Sequence, residues 1–250
     1  MLAYRMRSLR RLHWMCFFGG LGLCWSLLFL MATPAELLAL EATYGRSFIE
    51  VLCGGALGAS GFAPAFGMWA LMSAAMMAPT AVPALTTYDD LSHAAETRFG
   101  ALVAGYLAVW FGFSVLAAGV QVGLFRLGLI GSFGQSVSVP LTMALLIGAG
   151  LYQFSALKAA CLSRCRAPLT FFMQHWGESP FRMGARMGLD CLGCCWALML
   201  LAFVGGTMNL AFMGVALLLM TLEKLPDLGQ PITRPLGGVL ILAGLALPLL

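Results

Sequence analysis

The chemistry this sequence can offer lies in its sulfur. Met68, Met72 and Met76 stand four residues apart with Met77 adjacent, and in a helix that spacing sets the first three along one slowly drifting face about 12 Å long. Thioethers are soft ligands that suit Cu(I) and bind hard cations poorly. A plainer role for the same row is to fill irregular gaps in an apolar bundle. Cys194 and Cys195 follow Cys191 by three and four residues, which directs all three thiols to one side of a helix. Met187 and Met199 extend that side in both directions. Cys161 and Cys165 form a second one-turn pair, close to Lys158, Arg164 and Arg166, whose charge favours the metal-binding thiolate. His175 offers that pair a third ligand and so a Cys/Cys/His zinc site. Its spacing matches no familiar zinc finger, so zinc is the lesser expectation and copper the greater. Cys16, Cys24 and Cys53 are read as ordinary buried cysteines, and His13 and His93 as solvated.

These groups must be positioned by a membrane protein. Of 250 residues, 61% are hydrophobic and 10% charged, whereas a soluble domain carries about a quarter charged residues. A formal charge of only +4 leaves no basic face for nucleic acid. The charges fall in short clusters between apolar runs of spanning length. Leu12 to Ala32 follows Arg5, Arg7, Arg10 and Arg11 and has no small-x-small cleavage site behind it, so it reads as an uncleaved anchor. Thr33-Pro34-Ala35-Glu36 then opens a helix whose mixed apolar and charged residues to Leu52 predict an interfacial amphipathic segment. Further runs cover Phe62 to Leu85, Gly100 to Val120, Val139 to Leu157, Gly188 to Leu222 and Leu236 to Leu250. As one helix the 35 residues from Gly188 to Leu222 would measure about 52 Å, too long for a roughly 30 Å hydrocarbon core. A hairpin turning at Gly205-Gly206 fits better.

The expected fold is therefore an all-α polytopic transmembrane bundle of about seven spans, or five or six if an arm does not cross. With the amino terminus in the cytoplasm, twelve of the fourteen Lys and Arg fall inside, all but Arg46 and Arg126, as the positive-inside rule asks. Residues 1–250 form one helical domain, in which 33–58 is an extracytoplasmic interfacial segment and 158–187 a basic cytoplasmic one. Five thiols would then face a reducing compartment, which argues for free thiolates or a metal site over disulfides. Gly105, Gly112 and Gly119 recur every seven residues as a seam for close helix packing. Pro79 and Pro83 are expected to break the helix below the methionine row, and Asn209 to tie two helices together at the outer turn.

Several motifs carry a resemblance: Met68-Trp69 through Ala75-Met76-Met77-Ala78-Pro79 to Pro83; Gly150-Leu151-Tyr152-Gln153; Leu157-Lys158, Cys161-Leu162 and Cys165-Arg166-x-Pro168; Cys191-Leu192-Gly193-Cys194-Cys195-Trp196-Ala197-Leu198-Met199; and Gly206-x-Met208-Asn209-Leu210 to Glu223-Lys224. Over about residues 60–225 the chain resembles the bacterial family described as predicted metal-binding integral membrane proteins, domain of unknown function 2182. The resemblance implies a membrane metal-binding role, and the label copper chaperone that some members carry agrees with the soft ligands. The expected function is Cu(I) handling in the bacterial inner membrane through Met68, Met72, Met76, Met77, Cys161, Cys165, Cys191, Cys194 and Cys195. Its expected partners are the lipid bilayer and a membrane cuproenzyme or copper donor protein. No Ser-His-Asp set, phosphate loop or ATPase motif assigns an enzyme activity or active pumping. Two rivals make different demands. A membrane thiol-disulfide oxidoreductase needs a reversible disulfide and no metal, and an assembly scaffold needs the sulfurs only for packing.

Overall fold

The computed structural model describes residues 2–32, 61–91, 98–131, 134–207, 209–225 and 229–249. The interfacial segment expected at 33–58, with Arg46 and Cys53, and the loop with His93 lie outside the described residues. The described residues hold helices and no strand: α1 (Leu2–Ala32), α2 (Phe62–Leu91), α3 (Phe99–Arg126), α4 (Val139–Tyr152), α5 (Ala156–Arg166), α6 (Pro168–His175), α7 (Pro180–Leu200), α8 (Ala202–Gly205), α9 (Leu210–Lys224) and α10 (Gly229–Ala246). Four stretches are long and apolar enough to cross a membrane: Leu12–Met31, Phe62–Leu91, Phe99–Arg126 and Pro180–Gly205. A fifth crossing exists if α4 and α5, bent by 61° at their junction, count as one. The run expected to extend to Leu157 thus stops at Tyr152. All seven expected runs contain a helix, but α9 has 15 residues, about 22 Å of rise. Seven full-length spans are therefore not reached by length.

Exposed Leu12, Met15, Phe18, Leu23 and Phe29 on α1, with Leu116 on α3 and Val239 and Leu242 on α10, give the bundle an apolar outer coat. In water such a coat is an association liability, whereas hydrocarbon suits it. Inside, polar pairs join the helices. Trp69 donates to Gln121 Oε1 at 2.6 Å, and the Ser73 and Ser114 hydroxyls are 3.1 Å apart; both pairs tie α2 to α3, the form of interhelical contact that apolar surroundings favour.

Three expectations change here. Helix α2 runs unbroken through Pro79 and Pro83. A proline takes the N–H partner from the carbonyl four residues before it, and Ala75 O, the carbonyl that Pro79 orphans, accepts from Trp25 Nε1 at 3.1 Å. Of the three α3 glycines expected to form the seam, Gly112 and Gly119 face open space. Only Gly105 marks a close approach, where an added Cβ would stand 2.0 Å from the Phe181 carbonyl oxygen. Its counterpart is the pair Gly184 and Gly188 on α7, the first set against the Leu102 backbone and the second against Tyr106 and Val109. This small-residue contact brings α3 and α7 together. Lys158, expected to lend its charge to Cys161 and Cys165, is buried in a 2.8 Å ion pair with Glu223, each side chain 1% exposed. A charge so placed needs a partner, and Glu223 on α9 supplies it.

The hairpin turns where the sequence indicates. Gly206 adopts φ +91°, a conformation open to glycine. Asn209 caps α9 by accepting from Phe212 N at 3.1 Å, and its Nδ2 donates to Gly205 O, so it ties α8 to α9 as expected. Helix α9 returns alongside α7 and carries Lys224 back to the level of Cys191.

Candidate metal centre

Cys191, Cys194 and Cys195 lie in the middle of α7 with their sulfur atoms all within 4.8 Å of one another. The i, i+3, i+4 spacing puts them there, and all three are buried. Cys194 and Cys195 Sγ are 3.2 Å apart, and the Cys194 thiol donates to Cys191 O at 3.1 Å. Three further helices close around Cys191. From α3, Tyr106 Oη lies 3.0 Å from its sulfur and donates to Met77 O on α2 at 2.9 Å. From α9, Lys224 Nζ donates to the Cys191 sulfur at 2.9 Å and to Thr80 Oγ1 at 2.6 Å. Thr80 in turn donates to Met77 O at 2.8 Å. The thiol cluster and the end of the methionine row thus share one hydrogen-bonded network.

The row is buried throughout: Met68, Met72, Met76 and Met77 are each 2% exposed or less. Met72 and Met76 line one small internal gap with Met199 of α7 and Met213 of α9. Because Met199 is one turn beyond Cys195, thioethers continue from the thiol cluster along α7 to the gap that Met72, Met76 and Met213 also line. Met213 and Met220, both buried, are not among the residues expected to bind metal. Their seven-residue separation, one face of a helix, is the signal that could have marked them.

The second thiol pair is drawn in only partly. Cys161 sits against Gly193, where an added Cβ would be 2.5 Å from its sulfur, and Cys165 lines one cavity with Cys191. Neither joins a group of three ligands among the described residues. His175 does not join them: its Nδ1 lies 2.9 Å from Phe171 O and its ring stacks on Phe171, which removes the Cys/Cys/His zinc arrangement. Cations expected to act on the thiols are engaged elsewhere. Arg164 pairs with Asp190 at 2.9 Å, Lys158 with Glu223, and Arg166 donates twice to Glu223 O. Lys224 is the cation on Cys191; the sequence signal for it was a charge closing an apolar run. His13, read as solvated, is half-buried, stacked on Phe99 and 3.4 Å from Asp89. Cys16 is exposed and Cys24 half-buried.

Three clustered soft donors without a hard one form a set suited to a thiophilic ion, and residues 66–247 match the PpoB2 family, described as copper chaperone. The chain belongs to the PpoB2 copper chaperone family. The matched region takes in α2 from Phe66 onward and every described helix through α10, so it includes both the methionine row and the thiol cluster. No curated protein and no solved structure matches the chain. Cys191, Cys194 and Cys195 could hold a metal ion.

Proposed function

We propose that this chain binds Cu(I) at Cys191, Cys194 and Cys195 and passes it along Met199, Met213, Met76, Met72 and Met68 to a membrane cuproenzyme or another copper-binding partner. The observation that carries the reading is the convergence of three buried thiols with buried thioethers, of which Met72, Met76, Met199 and Met213 line one gap. Thiolates would hold the ion tightly, and thioethers would hold it weakly enough to release it. Cys161 and Cys165 would act as flanking donors. Metal analysis of anaerobically purified protein tests this: about one copper per chain is expected, and zinc or no metal refutes it.

The setting proposed is the bacterial inner membrane, with the amino terminus in the cytoplasm and all seven apolar helical segments embedded, α9 and α10 as short ones. Lys158 and Lys224 point inward, so the charge bias rests on the remaining basic residues. A topology reporter between Arg166 and Arg182 is expected to report the cytoplasm, and one between Glu36 and Glu50 the periplasm. The opposite result would sink the orientation and the reducing environment of the thiols.

A second reading draws on Cys165 lining one cavity with Cys191 of the thiol cluster: thiol-disulfide exchange between the two helices. It requires a reversible Cys165–Cys191 disulfide. Alkylation mapping of protein taken directly from cells decides between them, since the copper reading expects both thiols reduced.

A further inference from the structure

Beside the thiol cluster lies a cavity of about 260 Å³ whose lining includes Thr86, Tyr106, Cys165, Arg166, Cys191 and Lys224. It opens near helix ends: Pro83 and Thr86 at its rim are exposed and belong to the last turns of α2, while Arg166 and Lys224 end α5 and α9. At its inner end are Tyr106 and Cys191, both buried. Among the described residues, two cations line it and no carboxylate does. Lys224 donates to Thr80 and Cys191, and Arg166 to a backbone carbonyl. Two acids of the surrounding helices are turned to other partners, Glu223 to Lys158 and Asp190 to Arg164. Among the described residues, the lining therefore combines two cations with two thiols.

That combination repels a bare copper cation and attracts copper already wrapped in anionic ligands. The volume lies just under the roughly 300–1,000 Å³ of small-molecule sites, so it admits a small complex and excludes a folded domain. We propose that this cavity is a loading port for Cu(I) carried as an anionic bis-thiolate complex of a small thiol. The proposal rests on the copper reading above and names the form in which the ion arrives. Loading is ligand exchange: Cys191 sulfur bonds to copper as one carrier thiolate leaves, and Cys194 or Cys195 then displaces the second. One Cu–S bond forms for each that breaks, and copper stays Cu(I). Where the incoming group is a thiol, its proton departs with the carrier as free thiol. Arg166 and Lys224 draw in the complex and are positioning residues.

The test uses the full chain in lipid nanodiscs under anaerobic conditions, with Cu(I) supplied as its mercaptoacetate complex, which is anionic, or its cysteamine complex, which is cationic. Loading rates are divided by those of an uncharged dithiol peptide, which absorbs the difference in intrinsic lability. The parent protein should load about tenfold faster from mercaptoacetate, in the range electrostatic steering supplies, and Arg166→Gln should cut that preference several-fold while leaving final copper content unchanged. Equal normalised rates in the parent overturn the port even if Arg166→Gln fails to fold, and so does a preference that Arg166→Gln leaves intact. Final copper content separates the two failures: copper taken up equally fast from both donors removes the port alone, whereas none from either removes the copper reading and the port together.

Discussion

Replacing Cys191, Cys194 and Cys195 together by Ser is expected to abolish stoichiometric copper binding while the chain remains folded and inserted. Hydroxyls are poor ligands for Cu(I), so the affinity should fall by orders of magnitude. A buried hydroxyl without a partner costs about 1–3 kcal/mol, which would ordinarily confuse loss of metal with loss of structure. Here the partners already exist. A serine at 191 can accept from Lys224 and meet Tyr106 as the sulfur does, and one at 194 can donate to the residue 191 carbonyl that Cys194 already uses. Copper content and thermal unfolding of the variant, measured side by side, check the claim. A folded triple variant that still carries one copper would make the cluster packing and move the site elsewhere.

How much of this was readable beforehand depends on the range of the interaction. The thiol cluster is local: three residues within five positions share a helix face whatever surrounds them, so spacing alone placed their sulfurs together. The hairpin at Gly205-Gly206 was legible for the same reason, since glycine and a capping Asn signal a turn locally. The proline expectation failed because a neighbouring helix intervened. Trp25, fifty positions from Ala75 in sequence, satisfies the carbonyl that Pro79 strands, and no local rule sees it. Sequence gives the number of basic residues and not their direction; Glu223 turns Lys158 inward and the thiol cluster turns Lys224 inward. The seam was misassigned in part because a seven-residue glycine repeat on α3 says nothing about its partner. Gly184 and Gly188 on α7 show which end is used, and that contact sets Tyr106 over Cys191.

Changing Met68, Met72 and Met76 together to Leu is expected to leave equilibrium copper binding intact and to slow copper delivery by about tenfold or more, if each thioether lowers a transfer barrier by at least about 1.4 kcal/mol. Leucine nearly conserves volume and apolarity, so the stability cost should stay under about 1.5 kcal/mol per site. Met77, whose backbone carbonyl anchors Tyr106 and Thr80, is left unchanged, so the hydrogen-bonded surroundings of Cys191 are undisturbed. The thiols alone then set affinity, and only passage away from them is altered. Met199 and Met213 still border the gap where Met72 and Met76 stood, so an ion could move one step from the cluster and there lose its next ligand. The measurement is copper transfer from loaded protein to an acceptor chelator on the far side of a sealed vesicle, compared with transfer on the near side. Slowing confined to the far side is the signature of a path through the row. Equal far-side rates in variant and parent would exclude the row from transfer, making its thioethers filler and the thiol cluster a site that loads and unloads from one face.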